Sequence, residues 1–115
     1  MKIGTITCVR SNDVCARVGC LSAFQNRAGS FAGYDKDTVL AAMMTCNGCA
    51  RDNPKQPEED PGIQEKIERL KSEQIEVMHA GACRLHKGKE CPRLARICGM
   101  IEEAGIRVVR GTHAE

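Results

Sequence analysis

The sequence predicts an α/β fold, a three-layer open sheet of four mostly parallel strands with helices on both faces. The alternation of two sequence patterns predicts this fold class. Short runs rich in apolar and β-branched residues alternate with longer segments whose apolar residues recur at helical spacing. Such alternation is typical of parallel strands joined by right-handed helical crossovers. Because no linker is long enough to divide the 115 residues, we predict one domain over residues 1–115.

The first half of the chain predicts a strand, a helix and a second strand. Residues 2–7 form a short β-rich run at the start of the chain. Apolar residues at helical spacing predict the first helix over residues 16–28, and Gly29 is a suitable stop for it. Residues 38–44 form the second apolar run and predict the second strand.

The second half repeats the alternation twice. Asp60 followed by Pro61 is a helix start signal, an N-cap acid before proline at the first helical position. Pro92 starts the last helix in the same way, and Gly105 ends it. The strands of this half are predicted over residues 75–79 and 106–109.

Composition and charge exclude several classes of function. Seventeen Lys and Arg against fifteen Asp and Glu give a net charge of +2, without the basic excess of a nucleic-acid-binding protein. Only three residues are aromatic, which is too few for base-stacking platforms. No apolar run is long enough for a membrane span and no export signal is visible, so we expect no membrane partner and a cytoplasmic location. No nucleophilic triad or phosphate-binding glycine loop predicts a particular enzyme activity.

Cysteine is the unusual feature of the composition, with eight in the chain. In a small secreted protein this number would predict a disulfide framework. Without an export signal, thiolate chemistry in a reducing compartment is favoured, either metal binding or redox work. Some of the cysteines can also be small buried apolar residues.

A cysteine or histidine, residue types that bind metals, follows each predicted strand. Cys8 follows the first strand, Cys46 and Cys49 the second, Cys83 the third and His113 the fourth. Open parallel sheets place their ligand sites outside the carboxyl ends of the strands, so residues at these positions are predicted to converge. A further thiol precedes Pro92 at the start of the last helix, where the helix dipole stabilises a thiolate. The predicted ligands of one metal site are Cys8, Cys46, Cys49, Cys83, Cys91 and His113.

Cys46 and Cys49 form the tightest of these motifs. Two cysteines separated by two residues chelate one metal from a turn, and Asn47 and Gly48 both tolerate the left-handed backbone that such a turn needs. The expected metal is zinc, and an Fe–S cluster is the alternative because the chain has thiolates enough to hold one. A thiol–disulfide oxidoreductase using the same two cysteines is the alternative function.

The other cysteines and histidines have weaker signals. Cys98 lies in the apolar stripe of the last helix and is predicted to be a core residue. Cys15 and Cys20 can serve one ion only if Cys15 lies in the loop before the first helix, because five positions span about 140° of a helix. His79 fits a strand residue and a ligand equally well, whereas His86 is read as a solvated loop residue beside two lysines.

Taken together, these motifs resemble the CGGC domain family, small prokaryotic proteins named for a central motif. The resemblance spans nearly the whole chain, and Asn47 in place of the first glycine of that motif leaves both thiols intact. It implies metal binding through cysteine and histidine and no particular reaction. The segments that carry the resemblance are 1–8, 15–20, 46–49, 79–83, 91–92 and 111–113.

Overall fold

Strands and helices alternate along the chain in the predicted order. The computed structural model describes residues 1–49 and 53–113. The strands are β1 (Lys2–Thr7), β2 (Val39–Thr45), β3 (Val77–Ala80), β4 (Leu85–His86), β5 (Lys89–Glu90) and β6 (Arg107–Arg110). The helices are α1 (Val18–Gln25), α2 (Pro61–Ser72) and α3 (Pro92–Glu103). Each predicted strand and helix is present; β1 has the predicted ends, and the ends of the other strands and of α1 are shifted by one to three residues.

The main sheet has the strand order β2-β1-β3-β6, and its neighbouring strands are parallel. Thr7 at the end of β1 is level with Thr45 at the end of β2. Ala80 at the end of β3 pairs with Ile6 on one side and with Arg110 on the other. The carboxyl ends of all four strands therefore meet at one edge, as the sequence predicts.

Helices cover both faces of this sheet. On one face, α2 and α3 pack their apolar residues against Ile6, Met44 and Met78. On the other face, α1 and the turn around Phe31 pack against Ile3 and Val77. This arrangement is the predicted three-layer α/β fold.

Local interactions and backbone conformation explain where α1 and α2 begin and where α1 ends. The Asp60 carboxylate accepts a hydrogen bond from the Gly62 N–H at 2.9 Å, so α2 begins at the predicted cap. Helix α1 is shorter than the predicted 16–28, because Arg17 before it and Arg27 after it both have left-handed backbone, with φ of 65° and 51°. Within the described part of the chain, no helix is long and apolar enough to cross a bilayer.

A small antiparallel hairpin, β4–β5, lies between β3 and α3 and was missed in the sequence analysis. Its turn residues Lys87 and Gly88 both have positive φ, 54° and 78°, as a two-residue hairpin turn requires. The Lys-Gly dipeptide is the only local signal for it. The hairpin places His86 and Glu90 close to the end of the sheet where the cysteines lie.

Candidate metal centre at the carboxyl edge of the sheet

Three strands deliver cysteines to the same part of the sheet edge. Cys8 directly follows β1 and Cys46 directly follows β2, and the pairing of these strands makes the two residues neighbours. Cys83 lies in the short turn after β3, and its Sγ accepts a hydrogen bond from the backbone N–H of Cys8 at 3.1 Å. The structure therefore brings together residues that are 75 positions apart in sequence.

The thiol of Cys8 has opposing electrostatic influences. Burial raises its pKa, whereas hydrogen bonds from the backbone N–H groups of Arg10 and Ser11 act in the opposite direction. Negative charge on nearby Cys46 and Cys83 raises the pKa further. A bound cation would remove this repulsion and make use of the N–H donors, which is the environment of a metal-bound thiolate.

The Cys46–Cys49 segment is a preformed turn. Asn47 and Gly48 both have positive φ, 62° and 101°, which confirms the predicted left-handed geometry. The Lys66 ammonium donates to the Thr45 carbonyl at 3.2 Å and to the side-chain oxygen of Asn47. The Asn53 amide donates to the backbone carbonyl of Asn47 at 3.1 Å. Neighbouring side chains therefore hold both the backbone and the side chain of this turn.

Arg93 of α3 contacts residues on both sides of the connection between β2 and α2. Its guanidinium donates to the carbonyls of Cys46 at 3.4 Å and Lys55 at 2.7 Å. It also lies 3.6 Å from the carboxylate of Asp60, and both side chains of this ion pair are only 9% exposed. Arg93 could not be singled out from the sequence, because nothing in the helical pattern distinguishes it from the exposed Arg96 of α3.

Cys49 and Cys91 line the same groove, between the hairpin and the start of α3. The guanidinium of Arg10 lies 3.8 Å from Cys49 Sγ, and Cys91 is the N-cap residue of α3. His86 also lines this groove and is exposed, in β4 rather than in the loop that the sequence predicts. The thiols of Cys49 and Cys91 are half-buried, as is that of Cys83, whereas Cys8 and Cys46 are buried.

His113 contacts a different cysteine from those at the end of β1 to β3. Its Nδ1 lies 3.6 Å from Cys20 Sγ and 3.1 Å from the Thr112 hydroxyl. Cys20 was not among the predicted ligands. The role of His113 as a metal ligand stays a prediction.

Cys98 is the core residue that the sequence predicts, and Cys15 lies in the loop before α1, as one ion shared with Cys20 would require. Cys98 is 1% exposed in the core face of α3, and burial raises its pKa. Cys15 lies exposed in the loop before α1. Its pKa is lowered by a hydrogen bond from the backbone N–H of Arg17 at 3.4 Å and by the guanidinium of the same residue.

His79 is a structural residue rather than a ligand, which decides between the two interpretations of the sequence. It is fully buried, and its Nδ1 donates to the carbonyl of Gly111 at 2.8 Å. Its Nε2 lies 2.7 Å from the hydroxyl of Tyr34. Both ring nitrogens therefore have a hydrogen-bond partner. Burial lowers the pKa of the imidazole, and the positive charge of Arg107 lowers it too, whereas the hydrogen bond to Gly111 acts in the opposite direction.

Because His79 is buried, we expect the free energy of unfolding to fall in weak acid. Because its pKa is below the ordinary value of about 6.5, the unfolded chain binds a proton more readily than the folded protein. The contribution of neutral His79 to the free energy of unfolding should be fully present above this ordinary pKa. It should fall as the pH drops below that value, by up to about 1.4 kcal/mol per pH unit for one proton. Chemical denaturation between pH 5 and 8 measures this slope. His79→Gln should be less stable but lose this slope, and an unchanged slope in the variant would contradict the assignment.

The donor set of the edge fits a thiophilic ion. Thiolates are the ligands of structural zinc and of Fe–S clusters, and hydrogen bonds to the sulfurs stabilise them. All eight cysteines are free thiols. In residues 1–49 and 53–113, no three His, Cys, Asp or Glu side chains are already arranged to hold an ion.

Comparison with known proteins gives one match. The family model of the CGGC domain matches residues 2–113 of the 115-residue chain. No curated protein matches the chain, and no solved structure does. The match covers β1 through β6 and all eight cysteines. The chain therefore belongs to the CGGC domain family.

Proposed function

We propose that the protein binds a thiophilic metal ion, zinc, at the carboxyl edge of the sheet. Cys46 and Cys49 supply one half of the site, and Cys8 and Cys83 supply the other. The observation that carries the proposal is the meeting of Cys8, Cys46 and Cys83 at the ends of three parallel strands. Family membership and the number of cysteines both fit a metal-binding role.

The cations around the edge support a site rich in thiolates. Four thiolates around one Zn²⁺ carry a net charge of −2, which a partly buried site must offset. Arg10 lies beside Cys49, and Lys66 lies close enough to Cys46 for an electrostatic interaction between the two side chains. Burial lowers the pKa of Lys66, and negative charge on Cys46 and Asp60 acts against this shift. Cys91 or His113 could take the place of Cys8 or Cys83 as the fourth ligand. With His113, the site would have three thiolates and a net charge of −1.

Redox catalysis by the Cys46/Cys49 pair is the second candidate function. Cys49 is the more accessible of the two thiols, and the Arg10 guanidinium lies 3.8 Å from its Sγ. Cys46 is buried and would act as the resolving thiol. In this interpretation the pair is free of metal and cycles between dithiol and disulfide.

Protein purified without oxygen distinguishes these functions. Elemental analysis should find zinc at about one ion per chain, with no visible absorption. An iron and sulfide content with broad visible absorption would assign an Fe–S cluster instead. Alkylation followed by peptide mass spectrometry should find Cys46 and Cys49 protected until a chelator removes the metal. Rapid alkylation of both residues in fully loaded protein would contradict the metal site and favour the redox pair.

A further inference from the structure

Strand β2 lies at one edge of the main sheet, and its outer side is unprotected. Within residues 1–49 and 53–113, β1 is the only strand that pairs with it. Its seven residues, Val-Leu-Ala-Ala-Met-Met-Thr, include no charged side chain and no proline. A long, apolar edge strand of this kind is a ready template for pairing with a strand of another chain.

The opposite edge of the sheet is protected. Strand β6 has only four residues, and the first and last of them are Arg107 and Arg110. Arg110 also forms an ion pair with Glu90 of the hairpin at 3.2 Å. Short edge strands and charged side chains both discourage pairing with another chain. The two edges therefore differ, and β2 is the one that is open to a partner.

Apolar side chains of β2 are exposed beside this open edge. Val39 is 49% exposed and Met43 is 55% exposed. Met43 also lines a groove of about 420 Å³ between β2 and α2. The pairing of β2 with β1 shifts register at Ala41 and is regular from Ala42 to Thr45. Met43 thus lies in the regular part of the strand, where exposed apolar surface adjoins the open edge, as at an association surface.

Charged side chains at the two ends of this edge favour a second copy of the chain in the antiparallel direction. Lys66 lies at the carboxyl end of β2, where its ammonium donates to the Thr45 carbonyl at 3.2 Å. Glu73 lies at the other end, because it pairs with Lys2, which is level with Val39 at the start of β2. A two-fold axis across the edge brings the Lys66 end of each copy beside the Glu73 end of the other. Opposite charges then meet twice, so the edge is complementary to itself.

We propose that two copies of the chain associate through β2 in the antiparallel direction, so that their sheets become one continuous sheet. The two-fold axis passes beside Met43, and the Met43 side chains of the two copies meet there. The interface is isologous, because each copy contributes the same strand and the same groove. Backbone hydrogen bonds between the strands and apolar contacts between the methionines hold the two copies together. The proposal does not depend on a metal at the carboxyl edge.

Sedimentation equilibrium of the full chain in a reducing buffer tests this proposal. The wild type should have the mass of two chains at the high end of a concentration series. Met43→Lys and Met43→Glu should each weaken association by at least about tenfold, because like charges then meet across the axis. An equimolar mixture of the two variants should recover association, since lysine then meets glutamate. Both variants should melt as the wild type does at low concentration, because Met43 is exposed.

Val14→Lys is the matched control, because it places the same charge on an apolar residue that is 93% exposed in the loop before α1. This variant should associate as the wild type does, and a chelator should leave the mass of two chains unchanged. A single-chain mass at every concentration, an equal loss in Val14→Lys, or no recovery in the mixture of Met43 variants would overturn the proposal. A two-chain mass that appears only without reductant or only with metal would also overturn it, because an intermolecular disulfide or a shared ion would then join the copies.

Discussion

Cys46→Ser is expected to reduce the bound metal from about one ion per chain to background. Serine keeps the size of the side chain but offers a hydroxyl that stays protonated, which zinc and iron bind far more weakly than a thiolate. The same loss is expected for Cys49→Ser, because the two thiols chelate as a pair. Metal per chain is measured by elemental analysis of variants purified without oxygen.

Cys98→Ser is the matched control for this experiment. It makes the same substitution in a buried cysteine that faces the core in α3. A hydroxyl without a partner in an apolar core destabilises the fold by about 1–3 kcal/mol, so the midpoint of denaturation should fall while metal content stays normal. If the Cys98 variant lost its metal and the Cys46 variant kept it, the assignment of site and core would be reversed.

Arg93→Met should produce the largest loss of stability of any single arginine substitution in α3. Methionine fills a similar volume but leaves the buried carboxylate of Asp60 without its cation, and the carbonyls of Cys46 and Lys55 lose a donor. Removal of one member of a buried ion pair costs about 3–5 kcal/mol. Because Asn53 and Gly62 still donate to Asp60, the lower end of this range is expected, in urea denaturation followed by circular dichroism.

The Arg93 variant should also bind metal more weakly than the wild type at a temperature where both are folded, because Arg93 holds the carbonyl of Cys46. Arg69→Met is the control, since Arg69 forms an exposed pair with Glu65 on α2 and should change neither property. A double variant that also carries Asp60→Asn should recover part of the stability. Equal losses for Arg69→Met and Arg93→Met would show that the buried pair has no special role.

The order of strands and helices could be predicted from the sequence because it depends on local physics. The Asp60-Pro61 and Cys91-Pro92 starts each lie where a helix begins, since a residue before proline at the first helical position is a strong local signal. The convergence of Cys8, Cys46 and Cys83 was also predictable. It follows from parallel topology alone, because parallel strands end at the same edge of their sheet.

Contacts between distant residues were decided only by the tertiary structure. The sequence could not choose between the two roles of His79, because the hydroxyl of Tyr34 and the carbonyl of Gly111 are brought to its ring by folding. It could not show that His113 lies against Cys20, or that Arg93 holds the loop of the Cys46–Cys49 turn. Local patterns determine which elements form, whereas side-chain partners across 32 to 93 positions depend on packing geometry that no short-range pattern encodes.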